Sequence, residues 1–280
     1  MNIQLPHLLP SATAARAGGS SFYFAMRILG REQRDAMFEI YSYCRAVDDI
    51  ADCDAPRERR LKRLADWRQD VEQLYAGTVL PGCESLAGAI ARFDLRKDDF
   101  LAIIDGMEMD ARADIRAPSM EQLDLYCDRV ACAVGRLSVR VFGMDEDDGR
   151  ALAQHLGRAL QLTNIMRDID EDAANGRLYL PREALQEAGI NTTEPTQVIA
   201  HRKLDVACNV LVSRARDHFT KAREIMTRSP RRTVRAARVM GEVYRQMLDD
   251  LASRGWATPR QRIHFNKPQL LWIALRHAII

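Results

Sequence analysis

Long apolar runs are missing from this chain of 280 residues. No stretch of 18 consecutive apolar residues occurs, so no segment reads as a bilayer-spanning helix. The best run, Leu270 to Leu275, is cut at once by Arg276 and His277 and reads as a short terminal helix packed on the core. Glycine (15) and proline (10) are scarce. That argues against turn-rich β-sandwiches and barrels and excludes collagen-like chains. The six cysteines (Cys44, Cys53, Cys83, Cys127, Cys132, Cys208) form no CxxC pair, and the six histidines give no HExxH or zinc-finger spacing. Neither a structural zinc site nor a disulfide framework is expected. The first twenty residues lack a basic segment followed by an apolar one, so no signal peptide is expected. A cytoplasmic protein with reduced thiols follows as the expectation. Neither sign of charge dominates, with 41 basic against 39 acidic residues. No nucleic-acid footprint follows. The arginines gathered near the C-terminus (Arg223, Arg228, Arg231, Arg232, Arg235, Arg238) read as a solvated helix face.

What is present is helical periodicity. The spacing of apolar residues predicts helices over 12–28, 32–52, 57–76, 84–92, 97–113, 119–142, 147–172, 196–227, 232–254 and 268–278. Turn chemistry separates them: Gly30, Asp54-Ala-Pro56 and Leu80-Pro-Gly82. Ser119 with Gln122 three residues on reads as a capping box. Alternating β-branched runs are absent, and no linker or repeat divides the chain. The expectation is one all-α domain over residues 1–280, with residues 1–19 as its flexible end. The longest irregular segment, 173–195, is long enough in a helical domain to suggest a working loop.

Two polar stripes stand on otherwise apolar helices. Tyr41, Arg45, Asp48 and Asp52 fall at i, i+4, i+7 and i+11, one helix face flanked by Met37, Ile40, Val47 and Ile50. Gln161, Asn164, Asp168 and Asp172 fall at i, i+3, i+7 and i+11 among Leu160, Leu162, Ile165 and Ile169. Each stripe ends in two carboxylates one turn apart, about 5–6 Å between Cβ atoms, where like charges repel. Negative charge near a helix C-terminus adds to the cost. A cation offsets both. Carboxylates and an amide oxygen are hard ligands suited to Mg²⁺, which binds through a few carboxylates and substrate phosphates. Two facing stripes would make a clamp for a diphosphate, with Arg45 and Arg167 donating to it. One such stripe alone reads as an ordinary solvated face; two matched ones favour the clamp.

These residues resemble the squalene/phytoene synthases. Tyr41 to Asp52 is similar to the first aspartate-rich motif of that family and Gln161 to Asp172 to the second, with Asn175 to Pro181 like the loop that follows. Ser20-Ser-Phe22 and the run Tyr126-Cys127, Val130-Ala131, Val134-Gly135 are similar to two further motifs. The resemblance spans residue 20 to about 268. It implies an all-α isoprenoid synthase bundle with a central cavity, and head-to-head joining of two farnesyl diphosphates to presqualene diphosphate with two or three Mg²⁺ ions. It implies Asp48, Asp52, Asn164, Asp168 and Asp172 as metal ligands, with Ser21, Arg45, Gln161, Arg167, Tyr244 and Arg262 on diphosphate. Phe22, Tyr41 and Tyr179 would line the reacting centre, where aromatic faces attract a cation.

The chain departs from many relatives at Asp128-Arg129, where they carry an aromatic. The run from Cys127 to Ala131, the loop from Gly176 to Arg182 and the C-terminal tail are similar to the branch that stops at presqualene diphosphate in hopanoid-making bacteria. No NADPH requirement is expected, and downstream hopanoid-pathway enzymes are the implied partners. A lipid-soluble product leaves open a peripheral contact with the inner membrane face. Squalene, dehydrosqualene or phytoene synthesis, a single-substrate terpene cyclase, and a noncatalytic helical assembly protein remain the alternatives.

Overall fold

Apolar spacing on each segment determines which face is buried, and the buried faces assemble an all-helical bundle. The computed structural model describes residues 25–113, 115–261 and 263. Among them the helices are α1 (Arg31–Asp52), α2 (Arg57–Tyr75), α3 (Glu84–Phe93), α4 (Lys97–Arg112) and α5 (Met120–Cys127). A π-helical turn (Asp128–Cys132) joins α5 to α6 (Ala133–Phe142). Then come α7 (Glu146–Arg167), α8 (Ile169–Ala174), α9 (Arg182–Glu187), α10 (Pro195–Ile199), α11 (Leu204–Arg228) and α12 (Arg231–Arg254). The described residues contain no strand, only one isolated bridge between Arg116 and Leu178. None of the described helices is long and apolar enough to cross a membrane.

Local signals explain most boundaries. The capping box at α5 is present: the Gln122 amide donates to Ser119 Oγ at 3.1 Å, and the Ser119 amide donates to Gln122 Oε1 at 2.9 Å. Gly143, at φ 72°, ends α6 in the left-handed conformation that glycine tolerates. Asp145 caps α7 by accepting from the amides of Asp147 and Asp148.

Four expectations are corrected. The helix over 119–142 is interrupted by the π turn. The helix over 147–172 breaks at Asp168, whose ψ of 13° leaves the helical range. The Trp256 indole donates to the Met166 carbonyl at 3.0 Å and so satisfies the oxygen freed at that break. The helix over 196–227 is two, α10 and α11, parted by a turn at 200–203. Finally, the segment 173–195 contains α9, six residues that bury Ala184 and Leu185 and are too short to show a period. The flexible end at 1–19 and the terminal helix over 268–278 lie outside the described residues, as does all of the helix over 12–28 before residue 25.

The core has two halves. One gathers buried residues of α1, α2, α3, α4 and α6, among them Met37, Ile40, Phe100 and Leu137. The other gathers α5, α7, α9, α11 and α12, among them Leu156, Leu211 and Leu248. Val130 of the π turn and Phe142 pack against both. Between the halves lies a cavity of about 280 Å³, the central cavity that the family resemblance implied.

Candidate active site

The cavity is apolar along its length and polar at one end. Leu152, Leu156, Leu160, Gln161 and Asn164 of α7 line it. From Leu152 to Asn164 the helix rises about 18 Å at 1.5 Å per residue. From the opposite side α1 contributes Met37, Tyr41 and Cys44, and α12 contributes Met240 and Tyr244. Tyr41 of the first stripe and Gln161 and Asn164 of the second thus share one space, together with Tyr244, which the family resemblance implied.

Beyond that polar end stand the carboxylates. Arg45 donates to Asp48 and to Asp49, each at 2.7 Å. Burial, then the neighbouring charge of Asp52, pushes Asp48 up to about 6, against the pull of Arg45. Burial, then Asp168, pushes Asp172 up to about 7. Arg167 donates to both oxygens of Asp168, at 2.7 and 2.5 Å, and is hydrogen-bonded to Tyr244. The break at Asp168 means that the second pair straddles two helices, Asp168 at the end of α7 and Asp172 in short α8. Arg177, on the loop after α8, reaches back across the site to Asp52 at 2.8 Å. Ser21, Phe22 and Arg262 lie outside the described residues.

Asp110 of α4 is the residue that sequence reasoning missed. It is buried, and its charge adds to the upward push on both Asp48 and Asp172. The hydroxyls of Tyr179 and Tyr126 donate to it at 2.7 and 3.0 Å. The two rings stack with centroids 5.1 Å apart. Tyr179 is therefore tied to Asp110 and does not line the apolar cavity. One signal could have found Asp110. It falls at i+7 from Ile103 and i+3 from Met107, an acid in the register of buried apolar residues.

The donors fit a hard divalent cation. Asn164 Oδ1 is buried with no hydrogen-bond partner, and its Nδ2 makes only a long 3.4 Å contact to Gln161. A buried carbonyl oxygen without a donor is costly unless something ligates it. The crowded, half-buried carboxylates show the same deficit of positive charge. Among the described residues no three His, Cys, Asp or Glu side chains stand close enough together to hold a metal ion by themselves. An incomplete oxygen set suits Mg²⁺, which keeps positions for water and substrate phosphate.

Comparison with known proteins bears on this geometry. The squalene/phytoene synthase family model matches residues 15–269. A presqualene diphosphate synthase of Rhodopseudomonas palustris is 55% identical, covering 97% of this chain and 97% of its own length. One from Sinorhizobium fredii is 54% identical over 94% of each, and one from Zymomonas mobilis 48% identical over 95% of this chain and 91% of its own. A solved dehydrosqualene synthase with a bound ligand superposes at a TM-score of 0.81 with 22% identity, covering 96% of this chain and 94% of that one. A squalene synthase from Alicyclobacillus acidocaldarius superposes at 0.78 with 27% identity over 89% and 95%. On the match of motifs, length and helical architecture together, the chain belongs to the squalene/phytoene synthase family.

Proposed function

We propose that the chain joins two farnesyl diphosphates head to head into presqualene diphosphate, releasing one diphosphate and one proton. The observation that supports this most is one apolar cavity whose polar end is flanked by both aspartate stripes. The names of the relatives at 48–55% identity support the same product. The C–O bond of one substrate breaks and its electron pair leaves with the diphosphate. The C2=C3 electrons of the second prenyl chain attack the allylic cation, and proton loss closes the cyclopropane.

Asp48, Asp52, Asn164, Asp168 and Asp172 would hold two or three Mg²⁺ ions, which neutralise charge on the departing diphosphate as Lewis acids. Arg45, Arg167 and Arg177 each rest on a carboxylate of the site, prealigned as donors to an arriving phosphate oxygen. Gln161 and Tyr244 face the same end from α7 and α12. Tyr41 presents its ring where the polar end meets the tunnel, in position to steady a cation. The apolar lining excludes water that would quench that cation. Burial and the Asp110 carboxylate push the Tyr126 and Tyr179 hydroxyls up, so both stay protonated at neutral pH. Neither is the base; the departing diphosphate is the basic group at hand.

No reductant enters this balance, so no nicotinamide is required. The product needs an enzyme that consumes a cyclopropyl diphosphate, consistent with hopanoid-pathway partners, and a membrane surface to receive it. The second reading carries the reaction on to a thirty-carbon hydrocarbon, as the names of the solved squalene-type neighbours suggest. Incubation with farnesyl diphosphate and Mg²⁺, without NADPH, followed by mass spectrometry separates the two. A thirty-carbon diphosphate, lost on adding EDTA, is expected. A hydrocarbon favours the second reading.

A further inference from the structure

Behind the cavity wall runs a ladder of charges that the proposed chemistry does not use. The π turn Asp128–Cys132 interrupts what would otherwise be one rod from α5 into α6. Such turns are rare and collect at functional sites. The two sides of this one differ. Val130 and Ala131 line the prenyl cavity. Asp128 borders a charged cleft of about 790 Å³.

Asp128 is held from two directions. Arg136 of α6 donates to its Oδ1 at 3.1 Å and pairs also with Asp99 of α4. Arg158 of α7 lies 3.6 Å from the same oxygen. Arg158 is only 9% exposed, grips Asp124 with two bonds of 2.7 and 2.8 Å, and donates to Cys132 Sγ at 3.2 Å. It therefore brackets the turn, touching the first residue and the last. Glycines seat the turn on both sides. A Cβ at Gly157 would meet Cys132 Cα at 2.8 Å, and one at Gly106 would meet Val130 Cγ1 at 2.5 Å. Two of its acids, Asp124 and Asp128, remain partly exposed, so the network is a modest source of stability. It does fix geometry, because each guanidinium accepts only certain directions.

We propose that Arg158 and Asp128 are positioning residues that hold the π turn in the cavity wall and thereby limit the prenyl tail, favouring a fifteen-carbon allylic diphosphate over a twenty-carbon one. This rests on the prenyl-joining function proposed above. Of the turn's residues the cleft borders Asp128 alone, so cutting the ladder frees the turn on that side, and Val130 and Ala131 lose their fixed place in the tunnel wall. The Asp128-Arg129 pair, which set this chain apart from many relatives, gains a role: its acid anchors the turn.

The test measures kcat/KM for the fifteen- and twenty-carbon diphosphates with the full-length chain, D128N and R158Q, alongside thermal melts. D128N is isosteric and keeps the fold if R158Q does not. The expected result is a rise of roughly tenfold or more in the twenty-to-fifteen ratio, the scale on which apolar pockets discriminate by a methylene. The change falls mainly in KM, and R158K stays closer to the wild-type ratio than R158Q. Rates that fall together at an unchanged ratio would overturn the inference and leave the proposed function standing. A wild-type chain inactive on both diphosphates would overturn the function, and this inference with it.

Discussion

Arg177 and Asp52 lie 125 residues apart in the chain and 2.8 Å apart in the fold. This contact ties the loop after the second aspartate stripe to the last turn of the first. It brings a third arginine to the carboxylates, and it joins two separate sequence motifs into one site.

Cutting that tie should affect turnover more than stability. The Asp52 side chain is 55% exposed, so the pair contributes within about 1 kcal/mol to folding. Misplacing a positioned group costs far more in rate, roughly 100-fold. Arg177→Gln is expected to lower kcat/KM on that scale with a nearly unchanged melting temperature. An equal loss of both would show a structural tie alone.

Asn164 gives a similar signature. Its buried Oδ1 lacks a partner, so the metal-free fold gains nothing from it. Asn164→Leu removes an unsatisfied polar atom and is expected to leave urea unfolding unchanged or to stabilise it by about 1 kcal/mol. Turnover should be lost. A destabilised but active Asn164→Leu would show that the oxygen serves the fold and not a cation.

Asp110 accepts from two buried tyrosine hydroxyls. Asp110→Ala strands both and should cost about 1–3 kcal/mol for each hydroxyl left unpaired. Asp110→Asn keeps an acceptor and should cost less. Denaturant titration of the two variants checks the order.

The raised carboxylates give a pH dependence with a definite sign. Asp48 and Asp172 titrate near 6 and 7 in the metal-free fold, above the ordinary carboxylate value of 3.8. The folded chain thus binds protons that the unfolded chain has released. Their contribution to stability is full below the ordinary value and is lost as pH rises through 6 and 7. Metal binding competes with those protons. The thermal upshift from Mg²⁺ with inorganic diphosphate should therefore grow between about pH 6 and about pH 8. An equal upshift at both would argue that these two carboxylates are not ligands.

The sequence was legible where the signal was local. The first stripe reads directly, because α1 runs unbroken from Arg31 to Asp52 and its period survives to the last turn. The capping box at Ser119 reads for the same reason. The break at Asp168 did not read, because the group that satisfies the freed Met166 carbonyl is Trp256, 90 residues away. The π turn was hidden likewise: its anchor is Arg158 on another helix. Asp110 looked like one acid among several on α4, and only the fold shows that Tyr126 and Tyr179 close upon it. Arg177 belongs to the Asn175–Pro181 loop motif, and its role depends on Asp52, a partner 125 residues away.

The most direct measurement is the stoichiometry of diphosphate release. With farnesyl diphosphate and Mg²⁺, without a reductant, the account predicts one inorganic diphosphate for every two substrates consumed, since one diphosphate stays on the cyclopropyl product. Release of one diphosphate per substrate would contradict it, because both groups would then have left, as in a hydrocarbon synthase or a single-substrate cyclase.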